Sequence, residues 1–465
     1  MNKELIARLL DHDTTLWSTS PEIQSQILGR LGWLDVVSTF SDKIAKIQEF
    51  ESNIPYPHVV LLGMGGSSLV SEVFLQNIQA PKRSLFILDT TDAKKIANVF
   101  QKIDPSKTLF IVASKSGTTL EVESLFAYFW DRVPRPQQYI AITDQGTPLE
   151  KLSINKGFRH AFINPTDIGG RFSALSYFGL VPLSLLGADL HVFWKEVQKA
   201  WAPNAKAFHE GLDLAHTLFT AHQKSIHKLL LSTSSTNRAL ALWIEQLIAE
   251  STGKQNKGFL PISSGEKNRT IEDALCIELP QIQKVHELAS HFITWMTATA
   301  LVGHLLEINP FDEPHVNTTK KNTASYLQRN EPTQEIQKSI SAITSTTDQI
   351  ATFLMDVKPD EVICILSYLP ESNESHKFLD TLESSLLEKT HSVVVTHGPR
   401  YLHSTGQFHK GGKDIGRYIL ITENQPSPTI PGQKYDFNTL KLAQALGDYE
   451  ALLQAGRKTL LVHRK

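Results

Sequence analysis

At 465 residues, with 41% hydrophobic and 20% charged side chains, the chain has an ordinary globular composition and is too long for one compact core, so two or three domains are expected. A formal net charge of -2 without blocks of like charge disfavours nucleic-acid and membrane partners, and an anionic substrate has to be met by local groups. Two cysteines without a CxxC pair, an N-terminus broken up by charges, and no apolar run approaching the ~20 residues of a membrane span suit a reducing cytoplasm. Cys276 and Cys364 both sit in apolar, strand-like runs and are expected to be buried thiols. The eighteen histidines are scattered and show no metal-ligand spacing, so no metal is expected.

In chain order, residues 1–50 read as short helices that end at the boundary "SNIPYP". Four β-rich runs follow, "HVVLLGMG", "SLFILDT", "TLFIVASK" and "QYIAIT". They are separated by periodic segments such as "SLVSEVFLQNI", with Leu69, Val70, Val73 and Phe74 on one helical face. This alternation predicts βαβ units and a parallel sheet covered on both faces, a first domain at 51–200. A second strand–loop–helix, "HKLLLSTSSTNRALALWIEQLIAESTGK", echoes the first and suggests a duplicated architecture over 201–465. Its last third contains three further strands, "EVICILSYL", "SVVVTHG" and "GRYILIT", and one obvious flexible loop, "TENQPSPTIPGQ".

Ligands of open parallel sheets bind beyond the carboxyl ends of the strands, where helix N-termini collect. "LLGMGGSS" places Gly63, Gly65, Gly66, Ser67 and Ser68 at such an edge, and "IVASKSGTT" does the same with Ser114, Lys115, Ser116, Thr118 and Thr119. Glycines admit a close backbone, free amides attract an anion, hydroxyls donate and Lys115 adds charge: the pattern of a small phosphate cradle. Neither loop has the spacing of a nucleotide-binding motif, and a well-capped helix start uses the same residue types. "IGGRFS" delivers Arg171 into a crowded turn, where it suits either a developing oxyanion or a structural ion pair. Glu250 falls in the last turn of a helix with an apolar stripe (Leu240, Trp243, Ile244, Leu247, Ile248) closed by Gly253. The macrodipole disfavours a carboxylate there, which fits a general base as well as an idle helix-end acid. In "INPFDEPHVNTTKKN", Asp312 is a plausible N-cap and Lys320 lies about two turns on. "YLHSTGQFHKGG" groups His403, Gln407, His409 and Lys410 before two glycines, as proton carriers or as polar surface.

Taken in order, "GMGGSS", "ASKSGTT", "IGGRFSALS", "AESTGK" and "INPFDEPHVNTTK" resemble the glucose-6-phosphate isomerase family, and more particularly the isomerase part of transaldolase/phosphoglucose isomerase fusions. The likeness runs from about residue 55 to the C-terminus; "GGRFS" and "ESTGK" carry most of its specificity, the two loops alone indicating a sugar-isomerase (SIS) domain. The resemblance implies two SIS-type, doubly wound parallel-sheet domains of flavodoxin-like, three-layer αβα build. It also implies a cytoplasmic homodimer of glycolysis and gluconeogenesis that interconverts glucose 6-phosphate and fructose 6-phosphate without a cofactor. Carried over by position, Gly66, Ser67, Ser114, Lys115, Ser116 and Thr119 surround the sugar phosphate, Arg171 stabilises the enediolate, Glu250 is the base and Lys320 assists ring opening. The family's histidine comes from the neighbouring subunit and lies between that glutamate and lysine; the corresponding stretch here, "FLPISSGEKNRTIEDAL", contains none. The role is therefore assigned to His409, acting across a dimer interface, with His403 second. Glu313 stands where the family has glutamine, and no role is carried over to it. A dual phosphoglucose/phosphomannose isomerase and a non-catalytic SIS sugar-phosphate sensor are the alternatives.

Overall fold

A computed structural model describes residues 2–202, 204–233, 237–263, 271–388, 390 and 392–464. Four short helices, Asn2–Leu10, Pro21–Leu28, Val36–Phe40 and Ile44–Ser52, precede the first strand, as the N-terminal sequence predicts. Strands β1 His58–Gly63, β2 Ser84–Leu88, β3 Thr108–Ala113, β4 Tyr139–Asp144 and β5 His160–Asn164 then form one parallel sheet in the order β2-β1-β3-β4-β5. The strands alternate between two separate cores. Val59, Leu61, Leu109 and Ile111 join one apolar cluster, and Val60, Leu62, Phe110 and Val112 join the other. Burial on both faces explains why these runs read as continuously apolar rather than alternating.

Three strands, β6 Lys228–Ser232, β7 Leu260–Ser263 and β8 Ala274–Glu278, make a second parallel sheet, order β7-β6-β8. Four more, β9 Val362–Tyr368, β10 Val393–His397, β11 Gly416–Glu423 and β12 Lys458–Arg464, make a third, order β10-β9-β11-β12. The third sheet repeats the strand order of the first sheet's opening strands, so the echo seen in the sequence has a structural counterpart. The fold is mixed α/β with parallel sheets and helices on both faces, in keeping with two αβα units.

The apolar pattern does not mark β5, β7 and β12, all at sheet edges; β5 and β12 are partly exposed, and β7 is only four residues long. Cys364, in the middle of β9, is buried, and burial pushes its thiol up to about 12. Cys276 is a correction: its strand β8 is an edge strand, and the thiol is exposed. No helix among the described residues is long and apolar enough to cross a membrane.

In the first sheet the chain reverses direction of travel between β1 and β3. Crossovers leave on opposite sides there, and the two strand ends open a crevice. The loops Met64–Ser68 and Ser114–Thr119 meet at that point.

Candidate active site

A cleft of about 950 Å³ opens at the carboxyl ends of β1 and β3. It is lined by Gly66, Ser67, Ser116, Thr118 and Thr119 of the two loops and by Arg171, Glu250, Glu313, Lys320 and His403. Gly66 is required by close approach: a Cβ there would sit 2.0 Å from the Gly170 carbonyl oxygen. The first loop is thereby pressed against the turn that carries Arg171.

The "SKSGTT" loop folds around its own hydroxyls. Ser114 Oγ lies 2.8 Å from Thr119 Oγ1 and accepts from the Gly117 amide at 3.1 Å. Gly117 has φ of +66°, which favours glycine. Thr119 is the N-cap residue of the helix Leu120–Arg132, yet its side chain makes no capping hydrogen bond. The first amides of that helix are therefore not capped by the Thr119 side chain. Ser114 is buried and does not line the cleft, so it braces the loop rather than facing a ligand. Lys115 lines the cleft, but its ammonium is hydrogen-bonded to the Asp144 carboxylate and, at 2.8 Å, to the Thr166 carbonyl. Its charge is compensated before any anion arrives.

Arg171 is buried, with every side of its guanidinium engaged. Nε donates to Ser251 Oγ at 3.0 Å, and Nη2 donates to the carbonyls of Pro310 and Asp312, both at 3.1 Å. Nη1 donates to Glu313 Oε2 at 2.9 Å and lies 3.4 Å from Glu250 Oε2. The arginine thus sits at the cleft and is also ion-paired. Lys254 braces the same turn, donating to the Asp312 carboxylate and carbonyl, each at 2.5 Å. With Asp312 held this way it is not the cap of the next helix, which starts at Val316 with His315 as its N-cap residue.

Glu250 lies in the last turn of the helix Arg238–Thr252, as predicted. Gln246, one turn earlier, donates to its Oε2 at 3.1 Å. Both named contacts fall on Oε2. Burial pushes the carboxyl up, Arg171 pulls it down and the neighbouring Glu313 pushes it up again; the balance lies above the ordinary carboxylate range. Burial acts on Glu313 in the same direction, but its contact with Arg171 outweighs burial and holds it low. Of two carboxylates on one guanidinium, Glu250 has the raised and Glu313 the lowered proton affinity.

The histidine assignment changes. His409 lies in the short helix Gly406–Gly411 with no exposed surface, its ring 5.0 Å from Tyr418 and 5.8 Å from Tyr401. Neither ring nitrogen has a hydrogen-bond partner, and burial, with Lys410 and Arg457 nearby, pushes the imidazole well below its usual range. It neither lines the cleft nor has a surface to offer another subunit. His403 lines the cleft instead, its Nε2 3.0 Å from Glu121 Oε1. Glu121 also accepts from Gln444 Nε2 at 2.7 Å. Burial acts to raise the Glu121 carboxyl, but the charges of His403 and Lys320 prevail and hold it low. Glu121 was missed because an acid in a helix's first turn reads as a complement to the macrodipole. The stretch 264–270, within the segment that would have held the family's histidine, lies outside the described residues. Among the described residues no group of three or more His, Cys, Asp or Glu side chains is placed to hold a metal ion.

Residues 52–258 match the family model of phosphoglucose isomerase, a stretch that includes both loops, Arg171 and Glu250. A glucose-6-phosphate isomerase of Campylobacter jejuni is 32% identical over 251 residues, covering 49% of this chain and 58% of that protein. The chain therefore spans somewhat more than half the length of this relative. Another, from Shouchella clausii, is 25% identical over 415 residues, covering 68% of this chain and 90% of its own length. Among solved structures, a glucose-6-phosphate isomerase from Chlamydia trachomatis superposes with a TM-score of 0.55 at 17% identity, over 65% of this chain and 77% of that one, and shares the fold.

Proposed function

We propose that this phosphoglucose-isomerase-like chain is an aldose–ketose isomerase acting on glucose 6-phosphate and fructose 6-phosphate through an enediolate, with Glu250 as the base. The observation that carries this reading is Glu250 itself. It is a buried carboxylate with raised proton affinity, and it lines the same cleft as a hydroxyl-rich loop.

Glu250 Oε1 takes the proton from C2 of the aldose, or from C1 of the ketose, and returns it to the neighbouring carbon. The C–H pair becomes the C1–C2 π bond of the enediolate as the carbonyl π pair moves onto its oxygen; the proton then returns to the neighbouring carbon, and the hydroxyl proton passes between O2 and O1 to complete the product. The redox exchange is internal to the sugar, so this chemistry needs no cofactor. Arg171, with its N–H groups occupied, acts through its fixed positive field and by holding the Glu250 carboxylate in place, rather than by a new hydrogen bond. His403, backed by Glu121, and Lys320 are assigned the proton transfers of ring opening. Ser67, Ser116, Thr118 and Thr119 hold the phosphate, whose binding energy orients the distant reacting carbons. The reading keeps residues 51–200 as the phosphate-binding domain and a cytoplasmic homodimer as the assembly. His403 and Glu250 belong to the same chain, so a histidine from a second copy is not required.

The test is a coupled assay. Fructose 6-phosphate, NADP and glucose-6-phosphate dehydrogenase are supplied, and NADPH should appear in proportion to added protein; none appearing rejects the reading. Mannose 6-phosphate in a parallel assay decides between single and dual specificity.

Glu313 gives a further expectation. Its negative charge is one of the causes that raise the Glu250 carboxyl, so Glu313→Gln should lower the proton affinity of the base. The acidic limb of the kcat/KM–pH profile, where the base becomes protonated, should move to lower pH. A profile unchanged in Glu313→Gln would show that the two carboxylates do not interact in the working enzyme.

A further inference from the structure

A sugar phosphate brings two negative charges into a cleft whose lining contains five cations and five carboxylates, so the wall offers no net positive field. What matters is which cations are uncompensated. Lys115 is held by Asp144, Arg171 by Glu250 and Glu313, and Lys410 by Asp448 at 2.5 Å. The remaining two are Lys320 and Arg30. Neither side chain has an ion pair or hydrogen bond among the described residues. Lys320 acts electrostatically on Glu121, on the His403 side of the cleft. Arg30 acts on Asp144 and Glu313, on the side where the "SKSGTT" loop meets the Arg171 turn.

Arg30 is also fixed in position. Leu31 forms an antiparallel bridge with Ile168, and the Gly32 amide donates to the Asp167 carbonyl at 3.0 Å. A Cβ on Gly32 would lie 2.3 Å from the Asp167 carboxylate, so glycine is what permits this approach. The buried Trp33 ring packs 5.1 Å from Phe172, the residue after Arg171. The N-terminal segment is thus clamped to the turn that shapes the cleft, and it presents a half-buried guanidinium there.

We infer that Arg30 binds the phosphate of the substrate, supplying from the N-terminal segment the uncompensated charge that Lys115 does not provide. This rests on the sugar-phosphate reading above and extends it to a residue outside the stretch matched by the family model. A guanidinium suits the task because its planar fork can meet two phosphate oxygens together. The residue selects for the phosphorylated sugar and has no part in moving the C1/C2 proton.

The experiment is calorimetric titration of fructose 6-phosphate, and separately of inorganic phosphate, into the wild-type chain and Arg30→Gln, with steady-state kinetics on the same samples. Loss of a charged hydrogen bond should weaken both ligands by about tenfold to a hundredfold, raising KM alike with kcat within about twofold. Arg30→Lys should recover part of the loss. Arg30→Gln binding both ligands as the wild type does would overturn the inference, as would a KM unchanged beside a fallen kcat. If the wild type binds fructose 6-phosphate through Arg30 without converting it, the isomerase reading fails and Arg30 stands. A wild type that binds neither ligand removes both.

Discussion

Glu250→Gln is expected to abolish turnover, by about a thousandfold or more, while leaving sugar-phosphate binding nearly unchanged. The substitution keeps the size of the side chain and an oxygen able to accept from Gln246. It removes the proton affinity that burial and Glu313 raise. General-base terms alone contribute about 10²–10⁴ in rate, and here the same group takes the proton and returns it, so both half-reactions fail together. In the proposed reading the phosphate is held by the hydroxyls of the two loops and not by Glu250, so affinity should survive. The measurements are kcat by the coupled assay and Kd for fructose 6-phosphate by calorimetry. Near-normal kcat in a folded variant would make Glu250 an idle helix-end acid. Lost binding with kcat intact would place it among the ligand contacts instead.

The second large effect separates two histidines six positions apart. His403→Asn should lower kcat on the cyclic substrate by about a hundredfold or more, within the range of a lost acid–base group. Asparagine keeps a polar partner for the buried Glu121, so the fold is little disturbed. His409→Phe should keep kcat near wild type: the imidazole is fully buried between Tyr401 and Tyr418, already without hydrogen bonds, and a phenyl ring preserves the packing. The reverse pattern, with His409→Phe inactive though folded and His403→Asn active, would restore the assignment made from the sequence. Subunit mixing adds an arm. Because His403 and Glu250 share one chain, inactive Glu250→Gln and His403→Asn subunits should not restore one another's activity after exchange. Recovered activity would show that the histidine crosses between copies.

Much of this arrangement follows from local sequence. The four runs from His58 to Thr143 are strands because they are apolar, rich in β-branched residues and broken at glycine- or hydroxyl-rich turns; burial on both sheet faces then fixes their order as a covered parallel sheet. Glu250 was also readable, since an acid in the last turn of a strongly apolar helix contradicts the macrodipole. What a linear reading cannot supply is pairing at long range. Lys115 looked like a phosphate ligand until Asp144, at the end of the neighbouring strand, was seen to hold it. Glu121 and His403 are 282 positions apart, and each alone resembles ordinary polar surface. His409 ranks ahead of His403 on sequence alone because nothing local says which of two histidines in one loop turns inward. Arg30 carries no motif at all; only the contact of Leu31 and Gly32 with the turn before Arg171 gives it a place at the cleft.

The claim that Glu250 carries a proton between adjacent carbons of a phosphorylated sugar is tested most directly by following fructose 6-phosphate in deuterium oxide by proton NMR. A carboxylate at the edge of an open cleft exchanges part of its proton with solvent between abstraction and return. The expected result is glucose 6-phosphate in which part of the C2 hydrogen has been replaced by deuterium, with no deuterium at C3 and no conversion by Glu250→Gln. Glucose 6-phosphate formed at an equal rate by Glu250→Gln, or a fructose 6-phosphate spectrum unchanged by the wild-type protein, would contradict it.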